Sequence, residues 1–127
     1  MWRVAIYGRG IEGRAGRRAL DRRVSALAAE VARRPGWCHV ATYLDQSSGR
    51  LRPGLARLLA DAPVGFDLVV VDGYEQLCSN HHELAATVER LRWAGVEVVV
   101  ARPSRGRRLA KLVANLALAD LVSEAAR

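Results

Sequence analysis

The sequence predicts an α/β fold: a three-layer α/β/α sandwich around a mostly parallel sheet of four to five strands, continued by a long C-terminal helix. Three observations carry this expectation. Short β-branched apolar runs alternate with stretches of helical spacing, the order that gives parallel strands joined by crossover helices. Glycine or proline punctuates the junctions. The run Phe66–Val71 is apolar without alternation beyond its aspartate, as expected of a strand covered on both faces.

Each element has its own signal. Trp2–Gly8 reads as the first strand, closed by a glycine. From Gly16 to Arg34, Leu20, Val24, Leu27, Ala28 and Val31 recur at helical spacing with arginines opposite, and Pro35-Gly36 stops the helix. His39–Leu44 reads as the second strand. Pro53 stands where a helix favours its first residue, and Leu55, Leu58 and Leu59 form a short apolar stripe behind it. Phe66–Val71 is the third strand. Leu84, Val88 and Leu91 mark a helix ended by Ala94-Gly95, and Val96–Ala101 is the fourth strand. From Leu109 the chain is a strong helix former, apolar almost all round between Leu112 and Ala119. Such a helix has to be buried, and Leu109, Leu112, Val113 and Leu116 outline a seam for a second copy. The alternative is that it packs back on its own sheet. The chain thus divides into an α/β domain over 1–103 and a dimerisation helix over 104–127.

Composition narrows the class. Half of the 127 residues are apolar and 26% are charged, which excludes disorder along most of the chain. The longest apolar runs, around Leu68–Val71 and Val98–Ala101, are too short to span a bilayer. Met1 leads straight into a strand, so the expectation is a cytoplasmic domain without a signal peptide or membrane contact. Cys38 and Cys78 make neither a disulfide framework nor a zinc site, and no metal or cofactor is expected. Cys38, beside Trp37, reads as core material.

Charge points further. The net charge is +7, carried by arginine except for Lys111. Residues 1–36 carry +6, residues 37–101 carry −3 and residues 102–127 carry +4. Basic ends around an acidic middle fit one basic face toward a polyanion. The candidate phosphate contacts are Arg14, Arg17, Arg18, Arg22 and Arg23 with Arg105, Arg107 and Arg108. An arginine-rich, alanine-rich composition is equally what a GC-rich genome produces.

The sharpest local motif is Gly8-Arg9-Gly10-Ile11-Glu12-Gly13, a G-x-G-x-x-G after the first strand. Such a turn can bring backbone N–H groups to a pyrophosphate. Here the helical spacing begins only at Gly16, and Asp45 comes later than the acidic residue of that fingerprint. Among other candidates, Ser47 and Ser48 read as turn serines, and His81-His82 as the start of a helix rather than as metal ligands with Cys78.

A broader pattern accounts for the same residues. Val4-Ala5-Ile6-Tyr7-Gly8-Arg9, Tyr43-Leu44-Asp45 with Ser48-Gly49, Arg52-Pro53-Gly54-Leu55 and Leu91-Arg92-Trp93-Ala94-Gly95-Val96-Glu97 follow in order. Over residues 3 to about 103 the chain resembles the N-terminal domain of serine recombinases of the resolvase/invertase family. The resemblance implies a serine nucleophile two residues after Arg9, where this chain has Ile11. It also implies an Asp-Arg-Leu-x-Arg cluster, which stands here as Glu75-Gln76-Leu77-Cys78-Ser79, without either arginine. Arg52, matching a phosphate-contacting arginine, remains with Arg9. Isoleucine has no lone pair to offer phosphorus. Each lost charge donor costs about 10²–10³ in rate.

The expectation is therefore a degenerate pocket of Arg9, Ile11, Arg52, Glu75, Gln76 and Ser79, in a homodimeric scaffold or regulator that is not an enzyme and touches DNA without sequence preference. Two alternatives stay open: a protein-interaction module with no DNA contact, and a phosphate or nucleotide binder at Gly8–Gly13.

Overall fold

The structure is a computed structural model that describes residues 1–47, 51–78 and 80–101. The elements run β1 (Trp2–Gly10), α1 (Arg14–Arg33), β2 (Trp37–Gln46), α2 (Pro53–Gly65), β3 (Leu68–Val71), a 3-10 turn (Tyr74–Gln76), α3 (His81–Trp93) and β4 (Glu97–Val100). Four strands form one parallel sheet in the order β2-β1-β3-β4. This is the α/β fold that the alternation implies. Four strands is the lower count of the four to five expected, and the C-terminal helix with Leu109, Leu112, Val113 and Leu116 lies outside the described residues.

Two apolar layers sandwich the sheet because alternate residues of a strand face opposite sides. Val4 and Ile6 of β1 meet Leu27 and Val31 of α1 and Leu68 and Val70 of β3. Ala5 and Tyr7 face the other way, into a larger core with Leu55 and Leu58 of α2 and Leu84, Val88 and Leu91 of α3. Thus α1 covers one face, and α2 with α3 covers the other. Chain order reverses between β1 and β3, and in such sheets the crevice outside the carboxyl ends of the strands collects polar groups.

Three sequence expectations need correction. The first helix begins at Arg14, directly after the glycine turn, because Gly13 takes φ 97°, a backbone angle that favours glycine. The start was illegible because Arg14 and Ala15 add nothing to the apolar stripe. The strands also differ in length: β1 reaches Gly10 and β2 runs to Gln46, whereas β3 starts only at Leu68. Finally, Cys38 is exposed, not core, because β2 pairs only with β1 among the described strands. The start of α3 is as expected: Asn80 Oδ1 caps it, accepting from the backbone N–H of His82 at 2.8 Å and of Glu83 at 3.4 Å.

Candidate active-site crevice

The carboxyl ends of β1 and β2 and the N-terminus of α2 converge on one carboxylate. Asp45 is 3% exposed. Its Oδ1 accepts the backbone N–H of Gly54 at 2.7 Å, and its Oδ2 accepts that of Leu55 at 2.8 Å and the Tyr7 hydroxyl at 2.7 Å. The residue before α2, Arg52, provides no side-chain cap, and Pro53 has no N–H to offer. Asp45 is thus a cap supplied from another strand, satisfying two orphan donors at the positive end of the helix. Gly54 is required for this approach. A side chain there would collide with the Leu44 carbonyl and press on Asp45 Oδ1.

Arg52 closes the cluster from above. Its Nη2 donates to the Tyr7 hydroxyl at 2.6 Å and to the Gln76 carbonyl at 2.5 Å, and its Nη1 donates to the Leu77 carbonyl. The guanidinium carbon lies 5.4 Å from the centre of the Tyr7 ring. Arg52 Nε is buried without a hydrogen-bond partner. Burial, followed by the hydrogen bond to Asp45, pushes the Tyr7 phenol well above its ordinary range, although Arg52 opposes the shift. Tyr7 is therefore a neutral hydroxyl that relays between an anion and a cation.

A second cluster covers the glycine turn. The Gln76 side-chain oxygen accepts the backbone N–H of Arg9 at 2.9 Å and Arg23 Nη1 at 3.1 Å. Arg23 Nη1 also donates to the Arg9 carbonyl at 2.9 Å. Arg9 Nη2 reaches the Ser47 carbonyl at 3.4 Å, and Gln46 Nε2 donates to the Gly13 carbonyl at 2.7 Å. Ser47 behaves as a turn serine, its hydroxyl donating to the Leu51 carbonyl at 3.0 Å. The Glu75 carboxylate folds back over Gly73, so closely that any side chain at Gly73 would strike both its oxygens.

Gln76 thus touches both Arg9 and Arg52, with Glu75 beside it on the same 3-10 turn. Ile11 follows directly on β1 and is 72% exposed. Its backbone is held from below, because Gly16 of α1 packs against the Ile11 carbonyl with no room for a Cβ. Arg14, Arg17, Arg18 and Arg22 are exposed on α1, and Arg17 pairs with Asp21 at 3.1 Å. Arg23 is half-buried, and its Nη1 ties α1 to the Arg9 carbonyl and to Gln76. Ser79, Arg105, Arg107 and Arg108 lie outside the described residues. Sequence reasoning missed Tyr7 and Asp45 as the centre of the site. The available signal was an aspartate ending a strand at the Tyr-x-Asp motif, opposite a tyrosine within an otherwise apolar run.

A side chain at Gly8 would meet Leu20 Cδ1 at 2.9 Å, and one at Gly10 would meet Leu20 Cβ at 3.1 Å. These glycines let α1 lie close on β1. Asp45, the acidic residue at the end of β2, is committed to Tyr7 and to α2. Cys78 is buried, its Sγ 3.5 Å from Thr87 Oγ1, and no metal-binding cluster of His, Cys, Asp and Glu occurs among the described residues. No helix among the described residues is long and apolar enough to cross a membrane.

The parallel α/β sandwich is the fold of serine recombinase catalytic domains of known structure. The TP901-1 integrase N-terminal catalytic domain superposes with a TM-score of 0.70 at 22% identity, covering 96% of this chain and 97% of that one. A resolvase-family site-specific recombinase from Streptococcus pneumoniae gives 0.72 at 16% identity, over 97% and 90%. The C-terminal catalytic domain of IS1535 TnpA, an IS607-like serine recombinase, gives 0.60 at 29% identity, over 79% and 71%. No curated protein matches the chain by sequence. The model of the resolvase N-terminal domain matches residues 4–124, and the chain belongs to that family.

Proposed function

We propose that this resolvase domain has lost strand-exchange chemistry and acts as a homodimeric, DNA-associated scaffold or regulator. One observation carries the reading: the position that the family resemblance gives to the nucleophile is Ile11, a side chain with no group that can attack phosphorus. The surroundings support it. The Gln76 side-chain oxygen, where the resemblance expects an arginine, is engaged by the Arg9 backbone and Arg23. The inward groups of Arg52 hold Tyr7 and two carbonyls. What remains for DNA is charge. Arg14, Arg17, Arg18 and Arg22 are spaced to share one helical face, and all four are exposed. Contacts of that kind position a duplex without reading its sequence.

The test is incubation with supercoiled plasmid followed by denaturing electrophoresis. The expected result is no covalent protein–DNA band and no relaxed plasmid, for this chain and for Ile11→Ser alike. A band from the unaltered chain would overturn the reading. In a parallel titration, affinity should fall steeply with salt and hardly vary with base sequence.

A further inference from the structure

We infer that the upper half of the β2 edge is a docking site for an extended peptide carrying a carboxylate side chain. An open groove of about 510 Å³ runs between residues 41–44 of β2 and Pro53, Gly54 and Arg57 of α2. One wall is therefore β2, which pairs only with β1 among the described residues. A strand edge of this kind recruits another strand unless something protects it.

The protection starts at the lower end and reaches as far as Thr42. The β1–β2 register shifts between Val4 and Ala5, so that Val40 is an unpaired bulge residue. His39 folds along the same stretch, with Nε2 at 3.1 Å from the Ala41 carbonyl and 2.8 Å from Thr42 Oγ1. From Ala41 to Gln46 the register is unbroken.

Charge selects the occupant. Among the described residues, Arg57 is the only ionisable one lining the groove apart from Tyr43. It stands four residues before Asp61 on α2, the spacing of a helical ion pair. Yet Asp61 Oδ2 accepts the Tyr43 hydroxyl at 2.6 Å, and no Arg57–Asp61 bridge forms among the described residues. Arg57 forms no ion pair among the described residues, and it lines the groove beside the β2 edge. A strand that adds to β2 and lays an Asp or Glu side chain on Arg57 satisfies both features at once. The site is separate from the proposed DNA face, which depends on Arg14, Arg17, Arg18 and Arg22.

The probe is a fluorescein-labelled Ser-Val-Thr-Val-Glu-Val-Thr-Ser peptide, with versions carrying Gln or Lys in place of Glu and one with N-methylated valines. Binding to the full chain is followed by fluorescence anisotropy and by amide shifts. The Glu peptide should bind and perturb residues 43–46. The Gln peptide should bind about two- to fivefold more weakly, and the Lys and N-methylated peptides more weakly still. In Arg57→Glu the preference should reverse toward the Lys peptide, and Arg57→Ala should be indifferent to the central residue. Both variants should keep the unaltered far-UV dichroism, since Arg57 is exposed. No binding, equal binding of all four peptides, or shifts away from β2 would overturn the inference. So would a fall in mass on Thr42→Pro, which would mean that a second copy already covers the edge. Loss of DNA binding by an α1 arginine variant would leave all these readings unchanged.

Discussion

Removing the Asp45 carboxylate is the most demanding test of the crevice. In Asp45→Ala three donors lose their acceptor together: the Gly54 and Leu55 N–H groups and the Tyr7 hydroxyl. Hydrogen bonds to a charged group contribute about 1.5–3 kcal/mol each, and a buried orphan donor costs about 1–3 kcal/mol. The terms overlap, because water can enter beside Gly54, which is only half-buried. The Arg52 charge, one hydroxyl away, also loses its counterweight. A total of about 3–5 kcal/mol follows, as for other broken buried charge networks. That is a large share of the roughly 5–15 kcal/mol that holds a domain folded. At an m-value of about 1.5 kcal/mol/M in urea, the midpoint should fall by about 2–3 M. Tyr7→Phe leaves both backbone bonds to Asp45 intact and should cost about 1–3 kcal/mol. The two changes share one bond, so the double variant should lose less than the sum. Urea unfolding by circular dichroism, at a single protein concentration, measures all three. A midpoint shift under about 0.5 M for Asp45→Ala would refute the cap. A loss in Tyr7→Phe as large as in Asp45→Ala would also refute it.

Other expectations are more local. Gly16→Ala, which gains about 1 kcal/mol in an ordinary helix, should instead destabilise the domain by about 1–3 kcal/mol in urea unfolding, because its Cβ has to displace the Ile11 carbonyl. Alkaline stability should fall between pH 10 and about 12. Tyr43 is pushed up to about 12 by burial and its bond to Asp61, so the unfolded chain loses its proton first and folding weakens until the folded phenol ionises. Tyr43→Phe should flatten that slope in a pH series of urea midpoints. Leu112→Glu with Leu116→Glu should convert a dimer into a monomer or an aggregate by light scattering, and a wild-type mass of one chain at tens of micromolar would refute the proposed dimer.

The sequence by itself determined the elements and their order. Apolar spacing is a local property, so Leu20, Leu27 and Val31 marked α1, and the Val69–Val71 run marked a strand covered on both faces. Local chemistry likewise placed Pro53 at the start of α2 and Gly95, at φ 82°, beyond the end of α3. It also brought Arg9, Arg52 and Gln76 into one candidate pocket, through the family pattern rather than through spacing. Tertiary structure decided the rest, because a polar group's role depends on partners distant in the chain. Asp45 became a buried cap only when the crossovers set Tyr7 from one side and Gly54 and Leu55 from the other against it. Arg23 turned inward because Gln76, 53 residues away, offers an acceptor beside the Arg9 carbonyl. Cys38 lies exposed because strand order makes β2 an edge among the described strands. Hydrophobic periodicity states which side of a segment is buried, whereas satisfaction of hydrogen bonds is settled only by what the folded chain brings alongside.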